Sequence, residues 1–256
     1  MTATAQQYTR EIRNNLKYHA IWLPGTPIDL GVIGDVQDGI FVPMDNITQA
    51  LAIPVQPEPL PAHGGESILH QSQSGVTFQT KVGGSTSTAF KYIGAAEAGI
   101  SCSFRQQGAC VLSLQGCRTR RITNQIELQR ELLRRIDYHW KPSYAVITEV
   151  VLVGSGSVLV CEDNQAYIEL SANGEIANPL ADLGRVELDL RIAHSEGRIF
   201  SLVGATNFTP LFRAIRVSQS WFNKISVGAL GGEEPEINVD TMGDDEVAQA
   251  FEPLAL

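Results

Sequence analysis

Apolar residues recur along the chain with two periods, which separate two helices from a long series of strands. Between Thr4 and Lys17, Tyr8, Ile12 and Leu16 stand four apart, with Arg10, Arg13 and Lys17 on the remaining surface. That spacing predicts a short basic amphipathic helix. Ile28 to Ile33 and Gly39 to Met44 are short aliphatic runs broken by Gly34 and by Asp38-Gly39, whose glycine tolerates the positive φ of a hairpin turn. Pro54, Pro57, Pro59 and Pro61 remove backbone donors and predict a loop, and Gly83 to Thr88 predicts a mobile turn between Val76-Thr77-Phe78 and Phe90 to Ile93. Ile100, Cys102 and Phe104 alternate with polar residues, and after Gln106-Gln107-Gly108 the alternation resumes at Cys110, Leu112 and Leu114. Period two on both sides of a glycine-containing turn predicts an antiparallel hairpin.

A second helix is expected after Asn124, which with Glu127 has the form of a capping box. Ile126, Leu132, Leu133 and Ile136 form its stripe, and Lys141-Pro142 ends the segment. Arg118, Arg120, Arg121, Arg130, Arg134 and Arg135 make this region strongly basic. Val146 to Val153 and Val158 to Cys161 read as strands joined by a Gly154-Ser155-Gly156 turn, followed by Ala166 to Leu170. They are apolar on both faces, which implies burial. From Arg185 to Ala193 the alternation is cleanest: Val186, Leu188, Leu190 and Ile192 on one face, charge on the other. Ile199 to Val203 is expected to return beside it across Ser195-Glu196-Gly197, Pro210 to Val217 to add a short strand, and Ser218 to Val227 an amphipathic piece around Trp221 and Phe222. The fold class is therefore α+β: a long, twisted, mainly antiparallel sheet with a few flanking helices.

At 256 residues and 43% apolar, the chain can build a sizeable core. No apolar run approaches the ~18 to 20 residues of a membrane-spanning helix, and the polar start has no signal-peptide core, so the expected location is the cytoplasm. A formal charge of −9 argues against nucleic acid as a partner. Cys102, Cys110, Cys117 and Cys161 are too widely spaced for zinc or redox motifs and are expected as core thiols. The five histidines are scattered, so neither a metal nor a cofactor is expected. His63-Gly64-Gly65 is similar to an oxyanion-hole stretch, but no G-x-S-x-G elbow and no phosphate loop accompany it. No catalytic residue is assigned, and the protein is read as not an enzyme.

The charge is unevenly placed. Of the 28 acidic side chains, eight lie in residues 231–256, which hold no Lys or Arg; the rest of the chain has 20 acidic against 19 basic ones. Ile237, Val239, Met242, Val247, Phe251, Leu254 and Leu256 interleave with those acids. The block is either a disordered acidic tail or a peptide that docks.

Tyr144-Ala145-Val146-Ile147-Thr148-Glu149-Val150-Val151, with Val158-Leu159-Val160 and Ile168-Glu169-Leu170 after it, resembles the central strands of the gasdermin pore-forming domain. The basic N-terminal helix, the strand pair around Asp29 to Gly34, the hairpin at Gly99 to Leu114 and the Arg-rich helix follow the same order, and Pro210-Leu211-Phe212-Arg213 is similar to the end of the compact bacterial members. The resemblance implies a pore-forming domain over residues 1–230 and an acidic autoinhibitory peptide over 231–256, in a monomer that rests in the cytoplasm. It implies an activating protease, of caspase type among the candidates; the small residues of the Gly228 to Pro235 segment put the cut near Leu230 and Gly231, with Asp240 or Met242 as alternatives. The freed domain would then bind anionic lipid, form a homo-oligomeric β-barrel pore in the inner membrane and kill the cell in antiphage defence. The peptide would act through Ile237, Val239, Met242, Val247, Phe251 and Leu254, and Arg10, Arg13, Lys17, Arg130 and Arg134 would meet lipid headgroups. Spanning strands, over about 75–115 and 146–203, would include Val76, Phe78, Ile100, Phe104, Leu112, Val150, Leu152, Val158, Val186, Leu188, Leu190 and Ile192. Bacterial members often carry an acylated cysteine near the N-terminus; this chain has none before Cys102, so lipidation is not expected. The alternative reading is a non-enzymatic β-rich binding or scaffold protein with a disordered acidic tail.

Overall fold

The computed structural model describes residues 2–60, 65–80, 98–136, 139–223 and 239–254. Its elements are α1 (Ala3–Leu16), β1 (His19–Ala20), β2 (Val32–Gln37), β3 (Ile40–Asn46), α2 (Ile47–Leu51), β4 (Glu66–Gln71), β5 (Val76–Thr80), β6 (Ala98–Phe104), β7 (Cys110–Arg121), α3 (Gln125–Arg135), β8 (Tyr144–Cys161), β9 (Ala166–Ala172), α4 (Pro179–Asp182), β10 (Arg191–Glu196), β11 (Ile199–Val217), α5 (Asp244–Gln249) and β12 (Phe251–Pro253). This is an α+β fold dominated by a large, mainly antiparallel sheet. The chain forms two compact units interleaved in sequence: Met1–Thr26, Pro61–Arg118 and Leu152–Pro210 in the first, and Pro27–Leu60, Thr119–Val151 and Leu211–Leu256 in the second. Residues 239–254 thus belong to the second unit.

In the first unit, α1 forms as its spacing predicts. The Thr2 hydroxyl accepts the Ala5 N–H at the helix start, and Tyr8 and Ile12 are fully buried. β5, β6, β9 and β10 form a four-stranded antiparallel sheet in the order β10-β9-β6-β5. The register sets Val76 opposite Phe104, Phe78 opposite Cys102, and Cys102 opposite Ile168. One face is therefore apolar, and it packs with Val111, Leu159 and Cys161 into a shared core. Thr77, Gln79, Ser101 and Ser103 fall on the other.

Several sequence expectations are corrected here. The runs at Ile100 and Cys110 are not a hairpin: β6 pairs β5 and β9, whereas β7 pairs β4 and β8. Both strands contribute to one core, with Gly108 at φ +75° in the connection and its N–H donating to Cys161 O at 2.8 Å. The connection passes from one layer to the other because Cys110 to Leu114 is buried on both faces, whereas a half-solvated hairpin strand buries only one. Gly154-Ser155-Gly156 is not a turn but the middle of one 18-residue strand. A Cβ at Gly156 would stand 2.5 Å from Ser113 O, so the glycine allows close approach rather than reversal. Ile199 to Val203 and Pro210 to Val217 are one 19-residue strand, and β10 pairs β9 rather than β11.

Arg185 to Ala193 is not one strand. Val186–Leu188 is a 3-10 turn, Asp189 has φ +43°, and pairing begins only at Arg191. Leu188 is buried, while Val186 and Ile192 are 52% and 50% exposed, so the four residues do not share a face in this state.

In the second unit, β2 and β3 form the expected hairpin, with Asp38 and Gly39 both at positive φ as a two-residue primed turn requires. A Cβ at Gly34 would meet the Phe41 ring at 2.3 Å, and Phe41 packs on Phe212 with centroids 5.0 Å apart. The expected capping box at Asn124 is absent. Its side chain instead accepts the Gln56 N–H at 3.1 Å and donates to Pro54 O at 3.3 Å, tying the proline-rich loop to the helix start. Residues 219–223 begin the helical piece expected around Trp221. Gly83 to Thr88, Phe90 to Ile93, Ile225, Leu230, Gly231 and Ile237 lie outside the described residues.

Candidate functional site

The site lies in the second unit, where the acidic C-terminal segment meets α3 and the end of β11. Leu128, Gln129, Leu132 and Leu133 are the buried residues of α3, which leaves its arginines at the margin of that face. Arg130 Nη1 donates to Val239 O at 3.0 Å and Met242 O at 2.8 Å, and Nη2 donates to Asp244 Oδ1 at 2.8 Å. Arg134 Nε donates to Asp240 Oδ1 at 2.8 Å, and its Nη1 pairs with Glu131. Asp240, and then Glu131, push the Arg134 guanidinium above its ordinary value, while Arg134 and then Arg135 hold the Glu131 carboxyl below its own. Arg135 donates to Leu51 O at 2.6 Å and ties α2 to α3.

Beyond the 3-10 turn Val239–Thr241, α5 begins with Asp244, Asp245 and Glu246, acids that suit the positive end of a helix. The Glu246 carboxylate accepts the Gly243 N–H at 3.0 Å. The chain then extends as β12, antiparallel to β11, with Phe251 opposite Val217, Glu252 opposite Arg216 and Pro253 opposite Ile215. Ser218 N donates to Ala250 O at 2.8 Å and Leu254 N to Ala214 O at 2.9 Å, so the added strand satisfies the backbone at this edge of β11. Arg216 Nε donates to Glu252 Oε1 at 2.6 Å across the pair.

Burial decides which of these forces dominates. Val247 and Ala250 are fully buried, with Leu254 at 4% and Phe251 at 8% exposure. Burying a large aliphatic or aromatic side chain is worth ~1.5 to 3 kcal/mol. The ion pairs reach carboxylates that are 72% (Asp240) and 77% (Asp244) exposed, and exposed pairs are worth ~0.2 to 1 kcal/mol each. Apolar burial and strand pairing hold the segment; the arginines set its place along α3.

Of the residues assigned to an inhibitory peptide, Val247, Phe251 and Leu254 are buried, and Val239 and Met242 are partly buried, their carbonyls holding Arg130. Arg130 and Arg134, assigned to lipid, are here engaged by that segment. Arg10 and Lys17 are exposed on α1, with Arg13 half-buried. Val76, Ile100, Phe104, Leu112, Val150 and Val158 are buried, and Phe78, Leu152 and Leu190 half-buried.

Two features escaped sequence reasoning: Ala250 in the apolar seat, and a charge triad around Glu149. Ala250 completes the spacing 247, 250, 251, 254, a signal that was available. Glu149, 6% exposed on β8, stands 2.8 Å from Arg121 Nε on β7 and 3.6 Å from Arg213 Nη1 on β11. No local pattern marks that triad, because its members come from three strands.

Among the described residues, no helix is long and apolar enough to cross a membrane, and no cluster of His, Cys, Asp and Glu is placed to hold a metal ion. No protein-family model matches the sequence, and no curated protein matches it. Among solved structures, the chain is similar to one described as the cryo-EM structure of the Gasdermin A3 membrane pore, with 12% identity over 83% of this chain and 90% of that one, at a TM-score of 0.38.

Proposed function

We propose that the protein is an autoinhibited pore former of the gasdermin type, whose residues 231–256 restrain residues 1–230. The observation that carries the proposal is the double seat of the C-terminal segment: one stretch of chain occupies Arg130 and Arg134 and also closes the edge of β11. Removing it uncovers two arginines, an apolar seat and unpaired strand backbone together. Those are the properties needed to meet an anionic surface and a neighbouring copy. The apolar face of the β5-β6-β9-β10 sheet supplies side chains of the kind that face lipid in a barrel, and the Tyr144 to Leu170 resemblance supports the same reading.

In this reading a protease, caspase-like among the candidates, cuts near Leu230 and Gly231. The freed domain leaves the cytoplasm for the inner membrane, Arg10, Arg13 and Lys17 join Arg130 and Arg134 at anionic headgroups, and copies assemble into a β-barrel that kills the cell in antiphage defence. Val76, Phe78, Ile100, Phe104, Leu112, Val150, Leu152, Val158, Val186, Leu188, Leu190 and Ile192 become its lipid-facing residues.

The test is dye release from anionic liposomes by the full chain carrying an engineered protease site at 230–231, before and after cutting. Release only after cutting is expected. Silence from both forms would overturn the proposal and leave a β-rich binding protein.

A further inference from the structure

A cleft of about 220 Å³ opens in the first unit between α1, the turn joining β4 to β5 and the connection joining β6 to β7. No residue given a role above lines it. Backbone contacts fix its walls. Ser72 N donates to Cys110 O at 3.1 Å and Arg105 N to Gly75 O at 2.9 Å, which ties the β4–β5 turn to the β6–β7 connection. A Cβ at Gly108 would stand 2.4 Å from Gln7 Cβ, so α1 lies against that connection at a distance only glycine permits.

The polar side chains around the cleft divide into two sets. One set belongs to the scaffold: the Gln107 amide donates to Thr4 Oγ1 and to Glu162 O, both at 3.0 Å, and the buried Ser72 hydroxyl accepts the Cys110 N–H at 3.0 Å. The other set has no protein partner. Among the described residues, the side chains of Gln7, Gln73, Ser74 and Gln106 make no hydrogen bond, and all four line the cleft. Glu11 stands among them, between Gln7 and Asn15 on one face of α1. It is the one ionisable side chain among the described residues of the lining, and its Oε1 is held 3.2 Å from Nε2 of His70 on β4, a side chain only 9% exposed.

That lining selects a class of ligand. Most small-molecule pockets are apolar with a few polar groups; here the proportions are reversed, so the occupant must form hydrogen bonds over most of its surface. Amides offer donors and acceptors together, and hydroxyl groups match both. A protonated polyamine only donates, and would leave the amide N–H groups without acceptors. A carboxylate with no Lys or Arg in the lining repels a phosphate and attracts an ammonium group through a charge-assisted bond. At ~30 Å³ per water, the cleft has room for roughly seven waters, the bulk of one sugar ring.

We propose that the cleft binds a small hydroxylated amine with the size and chemistry of a single amino sugar. Glu11 takes the ammonium group, and Gln7, Gln73 and Gln106 take the hydroxyls. His70 is a positioning residue that orients Glu11. The occupant bridges α1 to two turns and so ties the helix down. None of this rests on the pore reading.

Glucosamine titrated into the full uncut chain, followed by backbone amide shifts in NMR, tests the site. Saturable shifts are expected in 7–15, 72–75 and 105–109, with glucose and spermidine binding several-fold more weakly and glucose-6-phosphate not at all. Glu11→Gln should abolish the preference for glucosamine over glucose. That change also touches the His70 contact, so Gln73→Ala is the second variant: with no protein bond to lose, it should keep the parent's thermal unfolding and weaken both sugars several-fold. At about ten times its Kd, glucosamine should slow hydrogen exchange in 7–15 about tenfold, because it binds only the closed form. The proposal is overturned by shifts that do not saturate or that centre elsewhere, and by glucose-6-phosphate or spermidine binding as tightly as glucosamine. An unaltered preference in Glu11→Gln, an unaltered affinity in Gln73→Ala or unchanged exchange in 7–15 would overturn it equally.

Discussion

Arg134 Nε lies 2.8 Å from Asp240 Oδ1, so a side chain of the arginine-rich helix and one of the acidic C-terminal segment neutralise each other across 106 positions of sequence. The two charge blocks that stand out along the chain are each other's partners in the fold. The net charge of −9 therefore conceals a local match.

Reversing one charge of that pair should loosen the segment, and reversing both should restore it. Arg134→Glu and Asp240→Arg are each expected to make 239–254 several-fold more sensitive to limited proteolysis, with the double variant near the parent. The single effects should fail to add, and additive ones would show that the pair does not interact. High salt should weaken the parent's protection by a similar margin.

The apolar seat should matter more than the charges. Phe251→Ala is expected to cost ~3 to 5 kcal/mol and Leu254→Ala ~2 to 5 kcal/mol, read as shifts in the urea midpoint for release of the segment. In the full uncut chain, either variant should release liposome dye without proteolysis. Tight, silent variants would mean the seat is not what restrains the protein.

Glu149 should be easier to remove than to orphan. Its two partners are about half exposed, at 54% for Arg121 and 49% for Arg213, so water can replace the carboxylate in Glu149→Gln at ~1 to 3 kcal/mol. Arg121→Met leaves the buried carboxylate with Arg213 at 3.6 Å, and should cost ~3 to 5 kcal/mol. Equal losses in thermal unfolding would contradict this asymmetry.

Acid should act on α3 through Glu131. Its carboxyl is held below the ordinary value, first by the hydrogen bond from Arg134 and then by that from Arg135. The stabilisation is therefore present above the unfolded carboxylate pKa of ~4.3 and is lost as pH falls through the lower folded value. Glu131→Gln should flatten that part of the acid-unfolding curve; an unchanged curve would remove Glu131 from the account.

The elements legible in the sequence are those whose determinants are local. α1 follows from Tyr8 and Ile12, the β2–β3 hairpin from Asp38-Gly39, and α3 from its apolar stripe. Arg130, Arg134, Val247, Phe251 and Leu254 were legible as candidates because charge and apolar spacing single them out. Asn124 misled, because a side chain shaped for a helix cap found partners at Pro54 and Gln56, roughly seventy positions away in sequence. Gly154 and Gly156 misled for the same reason: a glycine that admits a neighbouring strand looks locally like one that turns the chain.

Local pattern suffices for the α+β class, the positions of α1 and α3 and the division of charge between the arginine-rich helix and the C-terminal block. Periodicity, turn chemistry and composition act over a few residues. Long-range pairing places β6 and β7 in different sheets, keeps β8 and β11 unbroken, divides Arg185 to Ala193 between a 3-10 turn and a strand, and sets residues 239–254 against the edge of β11. Each of these turns on which distant backbone groups find one another. Alternation of apolar and polar residues states that a strand has two faces, but not which strand will lie beside it.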